Sequence, residues 1–133
     1  KGPNPMKKLL SVFLAGIFLA GCSAAKEAAT YRQISMDEAV IMMQEETGYI
    51  ILDVREQDEY DAGHIPGAIL IPYTQIEEKA DEMLPDKDQL IMVYCRSGNR
   101  SKNAAKTLSI MGYNVVELDG GYNDWVKSYG DVK

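Results

Sequence analysis

Leu90-Ile91-Met92-Val93-Tyr94-Cys95-Arg96-Ser97-Gly98-Asn99-Arg100-Ser101 joins three kinds of sequence in one run. Leu90 to Tyr94 is apolar and β-prone, and it ends at a single cysteine. Arg96 to Arg100 is polar and contains a glycine. Ala104, Ala105, Leu108 and Met111 then recur at near-helical spacing, with Gly112 placed as a C-cap. The pattern predicts a buried strand, a tight loop and a helix, with Cys95 at the strand's end facing the helix N-terminus. Backbone N–H groups from Arg96 to Arg100 can converge there, and the helix dipole adds partial positive charge. Arg96 and Arg100 add formal charge. A cysteine in such a field ionises below its free pKa of about 8.5, and the thiolate is the nucleophile. Most cysteines beside apolar runs are small core residues; the Arg, Gly and Arg around Cys95 argue against that reading here.

The flanking elements alternate. Tyr31 to Ile34 reads as a short strand, and Ser35 with Glu38 has capping-box spacing ahead of a helix carrying Met36, Ala39, Val40 and Met43 on one face. The adjacent Met42 and Met43 suit gap-filling in a small core better than copper. Tyr49 to Val54 reads as a buried strand, Glu56 to Ala62 as a short helix, and His64 to Gly67 as a turn. Ala68 to Ile71 is the next strand. Ile76, Ala80, Met83 and Leu84 share a helix face that ends before Pro85. After the cysteine helix come a strand at Asn114 to Leu118, a turn at Asp119 to Gly121, and a helix over Tyr122 to Tyr129. Trp125 is expected to pack that last helix onto the sheet. Strand–helix alternation without repeats predicts an α/β fold with a mostly parallel sheet of about five strands and helices on both faces. In such sheets ligands bind at the C-terminal strand edge, where Cys95 falls. Arg55 is one helical turn from Glu59, which suggests an ion pair between them.

Four ordered stretches resemble the rhodanese family of sulfurtransferases: Ile51-Leu52-Asp53-Val54-Arg55; Glu59-Tyr60 leading to Gly63-His64-Ile65-Pro66-Gly67-Ala68; Cys95 to Ser101; and Asp119-Gly120-Gly121-Tyr122 with Trp125. The similarity spans roughly Gln33 to Tyr129, and a rhodanese domain is placed at 32–130. The resemblance implies a three-layer rhodanese fold and a thiosulfate sulfurtransferase that forms a persulfide on Cys95. It implies that Arg96 and Arg100 attract a small anionic sulfur donor. It also implies that Ser97, Gly98, Asn99, Arg100 and Ser101 hold the persulfide. Asp53 would support the loop, with Arg55 beside it in a structural role. His64, the only histidine, would belong to a structural turn and not act as a base. No metal or other cofactor is called for, and the acceptor is an unspecified thiol or protein. Phosphatases and arsenate reductases of the same fold use Cys-x5-Arg, whereas Cys95 to Arg100 is Cys-x4-Arg, a smaller loop that favours sulfur. A non-catalytic persulfide carrier or binding module is the other alternative, and a buried Cys95 would favour it.

The chain's 133 residues, 46% of them hydrophobic, suit one small domain. Residues 1–5 read as an expression scar ahead of Met6. Residues 6–21 read as a bacterial lipoprotein signal peptide: a basic start at Lys7 and Lys8, an apolar core too short for a comfortable membrane span, and Leu19-Ala20-Gly21 before Cys22. The resemblance to a lipobox implies cleavage before Cys22 and lipid on its sulfur, with 22–31 as a tether. The expected location is the bacterial cell envelope, facing the periplasm or the exterior, as a monomer held at the membrane. Cys95 would then be the one free thiol of the mature protein. With Lys1, Lys7 and Lys8 set aside, 11 basic side chains face 20 acidic ones, a net charge of −9. Such a surface excludes nucleic acid as a partner.

Overall fold

A computed structural model of the chain describes residues 30–130. The expression scar, the signal peptide, the lipidation site Cys22 and nearly all of the tether lie outside the described residues. Five strands and five α-helices alternate: β1 (Arg32–Ile34), α1 (Met36–Glu45), β2 (Ile50–Asp53), α2 (Gln57–Ala62), β3 (Ile69–Leu70), α3 (Ile76–Met83), β4 (Leu90–Tyr94), α4 (Asn99–Ile110), β5 (Asn114–Leu118) and α5 (Gly121–Tyr129). A 3-10 turn at Tyr73–Gln75 leads into α3. The sheet order is β1-β5-β4-β2-β3, and every pairing is parallel.

The side-chain period of two in β4 divides the core. Ile91 and Val93 pack under α3 and α4 with Ile76, Ala80, Leu84, Ala104 and Leu108. Met92 and Tyr94 face the opposite layer, with Met36 and Ala39 of α1 and Trp125 of α5. Each fully buried aliphatic side chain contributes about 1.5–3 kcal/mol, so these two layers hold the three-layer arrangement. β4 and its neighbours β5 and β2 are thereby covered on both faces, which is why Leu90–Tyr94 is a continuous apolar run.

Local signals place the elements. Ser35 Oγ accepts from the Glu38 N–H at 3.1 Å, and Glu38 returns a bond to the Ser35 N–H at 2.9 Å, completing the capping box. Trp125 is buried in the core, as expected. Met83 departs from expectation: Ile76, Ala80 and Leu84 are buried, whereas Met83 is 40% exposed. Buried positions in α3 follow an i, i+4, i+8 line, and Met83 lies off it in the last turn.

Candidate active site

β4 delivers Cys95 to the C-terminal edge of the sheet, and α4 begins four residues later at Asn99. Gly98 makes this short return possible. Its φ of +126° lies where a side chain is disfavoured, and this turns its N–H back onto Cys95 Sγ at 3.1 Å. Ser101, one turn into α4, places Oγ 3.3 Å from the same sulfur. Burial pushes the Cys95 thiol up, but hydrogen bonds from the Ser101 side chain and from the backbone N–H groups of Ser101, Gly98 and Ser97 outweigh it. The net position of the thiol is below its ordinary value. The loop thus favours a negative charge on sulfur, although Cys95 is only 1% exposed.

Both loop arginines converge on one carboxylate. Arg100 binds Glu59 through Nη1 and Nη2 at 2.8 and 3.0 Å, and Arg96 binds it through Nε and Nη2 at 3.1 and 2.8 Å. Glu59 is held well below the usual carboxylate range, at about 2, chiefly by the Arg100 hydrogen bond. The expected Arg55–Glu59 pair does not form. Arg55 lies in a bend ahead of α2, so helical i, i+4 spacing does not apply to it. It is buried and turns inward, donating from Nη2 to Asp53 Oδ2 and to the Gly63 carbonyl, both at 2.7 Å.

Asp53 does not touch the loop directly. Its Oδ2 accepts the Tyr94 hydroxyl at 2.6 Å, and Tyr94 immediately precedes Cys95. Tyr94 Oη in turn accepts the Ile65 N–H at 3.1 Å. The Asp53–Arg55–Tyr94 group is therefore a buried floor beneath the loop. Ser97 and Asn99 are surface residues, while Gly98 and Ser101 are buried. His64 lies away from Cys95, with its ring stacked on Tyr60 at 3.8 Å and Nδ1 2.8 Å from the Tyr60 carbonyl. A cavity of about 370 Å³ opens between His64, Tyr122 and Trp125 and includes neither Cys95 nor the two arginines.

Sequence reasoning missed three contributors. Glu59 appears in a family motif, but its partners lie about 40 residues away and no local pattern points to them. Gly121 opens α5 against the loop: the Tyr122 N–H donates to the Cys95 carbonyl at 2.8 Å and the Asn123 N–H to the Arg96 carbonyl at 3.0 Å. Glu117 is fully buried next to Ser101; a lone acid among Val115, Val116 and Leu118 was the signal for it.

A parallel α/β sheet with a cysteine cradled between strand and helix defines a class of thiol-dependent domain. The rhodanese-like domain model matches residues 35–128, and the chain belongs to that family. It is similar to the thiosulfate sulfurtransferase PspE of Escherichia coli, 41% identical over 55% of this chain and 70% of that protein. YrkF of Bacillus subtilis, a candidate sulfur carrier protein, is 33% identical over 79% of the chain, which spans only 56% of YrkF's length. Among solved structures, a rhodanese-related protein of Thermoplasma volcanium superposes with a TM-score of 0.66 at 34% identity, covering 74% of this chain and 94% of its own.

Proposed function

We propose that this protein moves a sulfane sulfur from thiosulfate, or a similar small anion, to a thiophilic acceptor through a persulfide on Cys95. The observation that carries the reading is the cradle around Sγ, with the Gly98 N–H at 3.1 Å and the arginine pair at the loop's rim. The relatives' sulfur chemistry supports it. In the first half-reaction the Cys95 thiolate attacks the outer sulfur of thiosulfate. The donor's S–S bond breaks, and sulfite leaves with the electron pair. In the second, an acceptor thiolate or cyanide attacks the outer sulfur of the persulfide, and Cys95 is released as thiolate. Arg96 and Arg100 draw in the anion, and the loop N–H groups of Ser97 to Ser101 hold charge on sulfur.

The test is intact mass under argon after thiosulfate, followed by cyanide and a thiocyanate assay, with Cys95→Ser alongside. Gain of one sulfur on Cys95, discharged with turnover by cyanide, is expected. No gain on reduced, alkylatable Cys95 overturns the reading. The 1% exposure of Cys95 favours a second one, a carrier that loads sulfur but releases it only to a docked partner. Loading without turnover on cyanide would establish that alternative.

The Leu19 to Cys22 pattern supports anchoring of the mature protein in the cell envelope through lipid on Cys22. The protein made in a bacterium fed labelled palmitate should take up label, and Cys22→Ser should abolish the uptake. A parent protein without label would refute the anchor.

A further inference from the structure

Behind the loop lies a carboxyl that the sulfur chemistry does not use. Glu117 sits in β5 on the face shared with Val115, opposite Val93 of β4 and Gln33 of β1. It is fully buried, as is Ser101 of α4 above it. Its Oε1 accepts from Gln33 Nε2 at 2.7 Å, and its Oε2 accepts from Ser101 Oγ. Among the described residues no ion pair includes Glu117. The charged groups on the packed elements are engaged elsewhere or exposed. Arg100 holds Glu59, Lys102 lies 3.9 Å from Asp119, and Arg32 and Lys106 face solvent. β4 offers only Tyr94, which points to Asp53 on the other face. A buried carboxyl without a cation is costly to keep charged, and its one route to another titratable group is through Ser101. That group is the Cys95 thiol, 3.3 Å beyond the hydroxyl.

We propose that Cys95 and Glu117 share one proton through Ser101, so that Glu117 stores the proton that the nucleophile sheds. The Cys95 S–H bond breaks as its proton passes to Ser101 Oγ. The proton already on Ser101 passes to Glu117 Oε2. The hydroxyl is regenerated, the carboxylate becomes a carboxylic acid, and one negative charge moves from oxygen to sulfur without a proton entering solvent. The reverse shift restores the thiol when sulfur has left. The Gly98 carbonyl, 3.1 Å from Ser101 Oγ, holds the hydroxyl when it is not bonded to Glu117. Glu117 reaches sulfur only through Ser101 and is a positioning residue. Its use rests on the sulfur-transfer reading; its existence does not.

The test is the pH profile of thiolate ultraviolet absorbance and of iodoacetamide alkylation, in the full chain carrying Cys22→Ser so that Cys95 alone reports. Coupled groups titrate in two macroscopic steps. With Glu117 present, thiolate should form in two steps more than about one pH unit apart, with a partial-thiolate plateau between. Glu117→Gln keeps the shape, with its amide oxygen free to accept from Gln33 and its N–H to donate to Ser101 Oγ, but cannot take a proton, and should give a single step. Ser101→Ala should do the same, and it decides the matter if Glu117→Gln does not fold. A single step in the parent protein overturns the proposal. So does a two-step profile unchanged in folded Glu117→Gln, which would assign the coupling to another carboxyl such as Glu59. A two-step profile in a protein that takes no sulfur from thiosulfate would refute the sulfur-transfer reading and leave proton sharing intact.

Discussion

Arg100 and Glu59 meet fork to fork, with parallel bonds of 2.8 and 3.0 Å between helices that are far apart in sequence. Glu59 therefore occupies the place an anionic donor would take on Arg100, and it must be displaced or outcompeted. Glu59→Gln keeps an acceptor but removes the charge. One charge at a partly exposed site is worth about 1 kcal/mol, so the KM for thiosulfate should fall roughly fivefold. Steady-state kinetics at constant ionic strength checks this. A rise in KM would mean that Glu59 aims the arginines more than it competes with the donor.

The same pair sets an acid dependence of stability. Glu59 is lowered from 4.5 to about 2 in the folded protein, so its contribution is fully present above the unfolded value. It is lost as pH falls through about 2. The stability gap between the parent protein and Glu59→Gln should be constant above pH ~5 and shrink steadily below it. Urea midpoints across pH measure this, and a gap that widens toward acid would refute the assignment.

Arg100→Lys should cost more affinity for thiosulfate than Arg96→Lys. The Arg100 side chain is 26% exposed and binds both Glu59 oxygens, whereas Arg96 is 53% exposed and meets only Oε2, and lysine cannot reproduce a planar fork. A KM ratio near one between the two variants would contradict the difference in placement.

Asp53→Asn should be the most damaging polar change in the domain. It leaves the buried Arg55 guanidinium without its counter-charge, at about 3–5 kcal/mol. Tyr94→Phe leaves the buried Ile65 N–H without a partner and removes one of the bonds to Asp53 Oδ2, which keeps Arg55, at about 1–3 kcal/mol. Denaturant unfolding should rank them in that order. Equal losses would place the weight on the tyrosine hydroxyl instead of the ion pair.

Gly121→Ala separates crowding from backbone conformation. At Gly121, with φ +55°, a Cβ would clash with the backbone carbonyl oxygens of Cys95 and Arg96. Gly48, at φ +77°, has nothing within 4 Å. Gly48→Ala should cost about 1 kcal/mol, and Gly121→Ala about 2–4 kcal/mol with slowed sulfur loading. Thermal melts and loading rates test the pair together, and equal melting shifts would remove the crowding argument.

The fold was legible because each element carries its own local signal. Leu90–Tyr94 is a continuous apolar run in a strand covered on both faces, and Ser35 with Glu38 marks the start of α1. The site was half legible. Cys95, Gly98 and Ser101 follow from one short loop, whose geometry is local. The partners of Arg55 and Glu59 were not legible, because α2 begins at Gln57 and their bonds depend on how α2, α4 and the sheet edge meet. The depth of Cys95 was equally hidden: nothing in the polar loop that follows it tells that the residue is only 1% exposed.

The clasp between α5 and the loop also has a meaning in time. Tyr122 and Asn123 secure the carbonyls of Cys95 and Arg96, and they belong to the last helix of the domain. On the ribosome, chains emerge N-terminus first. A nascent chain therefore exposes its thiol before it owns the helix that fixes the cradle, and truncation anywhere ahead of α5 leaves a cysteine without its finished setting.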